Sequence, residues 1–76
     1  MPLSAYIFLE TEPGKTPTVI KRVARIPGVR QAHVVTGPYD IIVFVEANDT
    51  SELVNMIVKK IQGISGVTRT LTSVVL

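Results

Sequence analysis

The chain has 76 residues, 46% of them hydrophobic and 18% charged, with no cysteine and a formal net charge of +2. A domain of this size buries only about 60% of the surface its unfolded chain exposes. Without cysteine, neither disulfides nor thiolate-bound metal supplements the core, so self-association is the ordinary remaining source of stability. The basic residues are scattered from Lys15 to Arg69, which is not the clustered footprint of a nucleic-acid-binding surface. No apolar run approaches the ~20 residues that cross a bilayer, and Met1-Pro2-Leu3-Ser4 lacks the charged start and apolar block of a signal peptide. A soluble, cytoplasmic protein is expected.

Ala5 to Thr11 reads as a first strand, with Tyr6 and Phe8 on one face and Ala5, Ile7 and Leu9 on the other. Both faces are apolar. Glu12-Pro13-Gly14-Lys15 breaks the strand, and Thr16 followed by Pro17 marks a helix start: the hydroxyl caps free amides and the proline sits where its missing N–H is harmless. Val19, Ile20, Val23, Ala24 and Ile26 form the apolar stripe of this helix, Lys21, Arg22 and Arg25 its wet side, and Pro27-Gly28 its end. The second strand, Val29 to Thr36, mixes Arg30, Gln31 and His33 with Val and Ala, as an edge or half-exposed strand tolerates.

Thr36-Gly37-Pro38-Tyr39-Asp40 is a tight turn at the midpoint of the chain, opening onto the apolar strand Ile41 to Glu46. So apolar a strand belongs in the centre of a sheet, with the second strand as its hairpin partner. Asp49 is the expected cap of a second helix, with Glu52 three residues on to reach back. Leu53, Val54, Ile57, Val58, Ile61 and Ile64 make its buried stripe, and Lys59 and Lys60 favour the dipole in its last turns. Past Gly63 and Gly66, Val67 to Leu76 is a last strand. One of its faces carries Thr68, Thr70, Thr72 and Val74, the other Val67, Arg69, Leu71, Ser73 and Val75.

The order βαββαβ specifies an α+β, ferredoxin-like split βαβ fold: an antiparallel four-stranded sheet in the order 4-1-3-2 with both helices on one face. The first and third strands are apolar on both faces, yet two helices cover only one side. The other side is then a contiguous apolar patch, the mark of a partner surface.

That fold hosts many activities, and the residues decide among them. There is no Cys-x-x-Cys for soft metals or iron–sulfur clusters, and no glycine-rich loop followed by lysine for phosphate. His33, the sole histidine, shares its strand face with Gln31 and Val35 and has no acid at that spacing, so it reads as a packed or interface residue before it reads as a general base. Asp40 fits either a turn aspartate bonding local amides or a functional carboxylate. Gly37 supplies a backbone shape other residues resist, Tyr39 packs beside Pro38, and Thr70, Thr72 and Ser73 suit a half-exposed edge strand.

Four stretches together carry a resemblance: Ala5-Tyr6-Ile7, Pro27-Gly28-Val29, Val35-Thr36-Gly37-Pro38-Tyr39-Asp40-Ile41, and the closing Val67-Thr68-Arg69-Thr70-Leu71-Thr72-Ser73-Val74-Val75-Leu76. Across essentially its whole length the sequence resembles the C-terminal ligand-sensing (RAM) domain of the leucine- and asparagine-responsive (Lrp/AsnC) transcription regulators. Family members carry a winged helix-turn-helix domain ahead of this unit, whereas here Met1 lies four residues before the first strand. The resemblance is therefore to a stand-alone RAM domain over residues 1–76, with no direct DNA binding expected.

It implies a dimeric, α+β-barrel-like assembly through the sheets, rings of dimers, and amino-acid binding between dimers without a cofactor or metal. Full-length regulators are candidate co-assembly partners. The implied ligand residues are Gly37, Tyr39, Asp40, Thr70 and Thr72. Turn amides near Gly37 and the two threonine hydroxyls suit the carboxylate of a zwitterion, Asp40 its ammonium, and Tyr39 a wall of its side-chain pocket. The alternative is a small dimeric α+β-barrel enzyme using His33 or Asp40 for proton transfer.

Overall fold

Strict alternation in the first and third strands builds the centre of the sheet. In the computed structural model, which describes residues 2–76, β1 (Leu3–Thr11) pairs antiparallel with β3 (Ile41–Ala47). Ala5, Ile7 and Leu9 stand opposite Val45, Val43 and Ile41, and all six are fully buried on one face. Strands β2 (Val29–Val34) and β4 (Val67–Val74) flank them, giving the order β2-β3-β1-β4, all antiparallel. This is the expected ferredoxin-like order read from the other edge. Met1, the first residue of the segment weighed as a signal peptide, lies outside the described residues.

Helix α1 (Thr16–Val23) closes this face with Val19 and Val23. Helix α2 (Thr50–Asn55), continued by a π-helical segment (Met56–Ile61), adds Leu53, Met56 and Ile61. Each such side chain, moved from water into the core, contributes about 1.5–3 kcal/mol. Among the described residues no helix is long and apolar enough to cross a membrane.

Several local expectations are corrected. Thr16 does not cap α1: Lys15 occupies the cap position, its carbonyl accepting the Val19 amide at 3.0 Å, because the turn from Glu12 runs straight into the helix. The Thr16 hydroxyl instead meets that of Thr11 at 2.7 Å. Ala24 lies past the end of α1 and is exposed. Val54 and Val58 are 51% and 53% exposed while Met56 is 4% exposed. Met56 lies three residues after Leu53 and shares its core-facing side, while Val54 and Val58, four apart, fall beside that side. The π winding then brings Ile61, five residues on from Met56, onto the core as well. Strand β2 stops at Val34 rather than Thr36 and contains a bulge between Val29 and Gln31.

At α2 the capping expectation holds. Asp49 accepts the Glu52 amide at 2.8 Å, and Glu52 reaches back to the amide of Asn48, one residue before the cap. Asp49→Ala should lower stability by about 1 kcal/mol. Urea unfolding checks this, as a lower midpoint with an unchanged slope.

Candidate functional site

The midpoint turn is held by non-local bonds. The Val35 amide donates to the Asp40 carbonyl at 2.9 Å, closing the β2–β3 hairpin, and Gly37 takes φ +130° between them, where a side chain would be strained. The Asp40 amide donates to the Leu9 carbonyl at 2.9 Å, and its Oδ2 accepts the Thr11 amide at 2.8 Å. Thr11 sits where the β1–β4 register shifts, so its amide needs an acceptor outside the regular ladder. Asp40 supplies it from 29 positions away. Among the described residues no donor reaches the other carboxylate oxygen, Oδ1.

Tyr39 lays its ring on Phe8, centroids 5.3 Å apart. Together with Val35, Thr36, Pro38 and Ile42 these rings line an almost wholly apolar hollow of about 290 Å³. Thr70 and Thr72 lie elsewhere. They pair in register with Leu9 and Ile7 and therefore share the helix-covered face, half-buried, with the Thr70 hydroxyl accepting from Gln62 Nε2 at 2.9 Å. Of the five expected site residues only Tyr39 lines that hollow: Gly37 and Asp40 flank it in the turn, and the two threonines stand on the other face of the sheet. Thr11 and Gln62, the partners of Asp40 and Thr70, escape a sequence reading because nothing local marks a partner that the fold supplies.

The sheet face opposite the helices carries Tyr6 and Phe44, directly paired with ring centroids 4.9 Å apart, and Phe8, Ile42 and Leu71 beside them. Tyr6 and Leu71 are 45% and 49% exposed in a single chain. Polar groups ring this patch. Arg30 pairs with Glu46 at 2.7 Å and Arg69 with Glu10 at 4.0 Å, exposed pairs that contribute little to stability. His33 stands opposite Ile42 and, among the described residues, its side chain has no hydrogen-bond or ion-pair partner. Nor do the described residues group three or more side chains able to hold a metal ion.

The open apolar face follows from the element order, and the glycine–tyrosine–aspartate turn is one of the motifs that carry the family resemblance. The sequence model described as the Lrp/AsnC ligand binding domain matches residues 4–76. The chain belongs to the Lrp/AsnC ligand-binding domain family. It is 48% identical over 61 residues to a homocitrate synthase of Sulfurisphaera tokodaii, a match covering 80% of this chain and 13% of the synthase. It is 34% identical over 74 residues to an uncharacterized HTH-type transcriptional regulator of Pyrococcus horikoshii, covering 93% of this chain and 49% of the regulator. The chain thus spans half or less of these curated relatives. Among solved structures, a protein of Thermus thermophilus superposes with a TM-score of 0.94 at 27% identity, covering 97% of this chain and 92% of that one. An Lrp/AsnC ligand-binding domain is a regulatory unit, and the match to the synthase covers too little of that enzyme to carry its chemistry.

Proposed function

We propose that this chain is a non-catalytic effector-binding and assembly module. It binds a free amino acid or related metabolite, dimerises through the open sheet face into higher rings, and acts on Lrp/AsnC-type regulators without itself contacting DNA. The observation that carries the ligand reading is the Asp40 turn. One carboxylate oxygen is fixed by Thr11, the other is unpaired among the described residues, and the preceding residue, Tyr39, lines an apolar hollow. An ammonium group suits the unpaired oxygen and an aliphatic or aromatic side chain suits the hollow. Because Thr70 and Thr72 lie on the other face of the sheet in one chain, a site using all five residues draws its halves from neighbouring copies. The similarity of this chain to part of a regulator and to part of a synthase supports a sensing unit that serves different proteins.

The enzyme reading fares worse. Among the described residues His33 has no acid or amide to orient it as a base, and the carboxylate of Asp40 already serves a backbone amide. Thermal melting against the twenty amino acids tests the proposal. A ligand at a hundred times its Kd stabilises the folded form by about 2.7 kcal/mol, or ~10 °C and more for a domain this small. Thr72→Val should reduce that shift without lowering the ligand-free melting point. No shift with any amino acid would remove the sensor reading.

A further inference from the structure

At the opposite end of the β2–β3 hairpin from the Asp40 turn, three departures from regular geometry meet. Gly28, at φ +96°, brings the backbone so close that a Cβ there would lie 2.5 Å from Met56 Cε and 2.8 Å from the Glu46 carbonyl oxygen. The bulge between Val29 and Gln31 takes Arg30 out of strand alternation, and bulges of this kind re-aim side chains. Arg30 Nε then donates to Glu46 Oε1 at 2.7 Å, which fixes the guanidinium and leaves its two terminal nitrogens unbonded among the described residues. The third departure is the π-helical segment, a rare form that recurs at functional sites. Its winding, seen in the Gln62 amide bonding the Ile57 carbonyl at 2.8 Å, aligns residues five apart, so Asn55 and Lys60 come to the same wall while Met56 and Ile61 fill the core.

Together these elements enclose a cleft of about 430 Å³, floored by Gly28 and Met56 and walled by Arg30, Asn48, Asn55 and Lys60. A hydrogen-bond account gives its chemistry. Glu52 is the one acid on the wall, and its oxygens are taken by the Asn48 amide at 3.2 Å and Asn48 Nδ2 at 3.1 Å. The groups left uncommitted are the Arg30 guanidinium ends, the Lys60 ammonium and the Asn55 carboxamide. They are mostly donors; the Arg30 charge is shared with Glu46, and the Lys60 ammonium has no ion-pair partner among the described residues.

We infer that this cleft is a second ligand site, for a small molecule bearing two acidic groups, carboxylate or phosphate. One acidic group lies against Arg30 and the other against Lys60, with Asn55 between them. A charged fork and a point charge on separate walls favour a ligand with two anionic ends over a single small ion. The site is independent of the Asp40 turn, with which it shares no residue.

The test is a titration of the isotope-labelled chain at constant ionic strength, followed by amide chemical shifts, with succinate and with pyrophosphate as separate probes. Saturable shifts at Gly28, Arg30, Asn55 and Lys60 are expected with at least one probe, the responding probe showing whether carboxylate or phosphate is preferred. Arg30→Gln and Lys60→Gln should each weaken binding at least about tenfold, and Lys21→Gln, on the exposed side of α1, should leave it unchanged. Because all three positions are exposed, the variants should keep the dispersed spectrum of the folded chain. Failure of both probes to saturate, or equal weakening by Lys21→Gln, would overturn the inference and mark the shifts as general screening. Retained binding in both Arg30→Gln and Lys60→Gln would do the same.

Discussion

Phe44→Lys is expected to convert the assembled protein to single chains while leaving each chain folded. Phe44 stands at the middle of the open face, opposite Tyr6 on the neighbouring central strand, on the side of the sheet away from both helices. The helix-side core of Ile7, Leu9, Val43 and Val45 is built from the alternate residues and does not include it. In an assembly that covers this face, a lysine would be an uncompensated buried charge. Such a charge costs about 3–5 kcal/mol, a factor of roughly a hundred to a thousand or more in the dissociation constant. Sedimentation equilibrium at micromolar concentration should give a multiple of the chain mass for the unaltered protein and the single-chain mass for the variant. Far-UV circular dichroism should be the same for both. Tyr6→Lys should act in the same direction, since both rings lie on that face. A single-chain mass for the unaltered protein throughout that range would remove the assembly part of the proposal.

Substitutions at Asp40 should separate the bond that one carboxylate oxygen makes to Thr11 from the ligand role proposed for the other. Asp40→Ala removes the acceptor of the Thr11 amide at the point where β1 and β4 lose register. The loss of a hydrogen bond to a charged acceptor, with a half-buried amide left behind, should cost about 1.5–3 kcal/mol of stability. Asp40→Asn keeps an acceptor oxygen for Thr11 and should cost less, but it withdraws the charge offered to a ligand ammonium. Affinity for the amino acid found in the melting screen should then fall roughly ten- to hundredfold. Ligand-free melting and ligand affinity, measured on the same samples, distinguish these effects. If Asp40→Asn binds as tightly as the unaltered chain, the carboxylate serves only to tie the start of β3 to the end of β1.

The positions of the strands and helices in the sequence already determined the topology, because each element signals itself within a window of a few residues. The runs Ala5 to Leu9 and Ile41 to Val45, apolar at every position, predict two central strands with both faces apolar, and the structure places them there. Asp49 and Glu52 mark a helix start for the same reason, since a cap and the amide it bonds are three residues apart. The unpaired apolar face follows by counting, as two helices cannot cover both sides of a four-stranded sheet.

What only the tertiary structure decided is non-local. The fold chose Thr11 as the partner of Asp40, 29 positions away, where the sequence suggested a neighbouring amide. Strand register, not composition, put Thr70 and Thr72 beneath the helices and Tyr39 against Phe8. Packing against the sheet buried Met56 and left Val54 and Val58 exposed, a choice among apolar helix positions that composition does not make. In each case the deciding energy is a hydrogen bond or a packing contact between distant parts of the chain, which exists only once the sheet has formed.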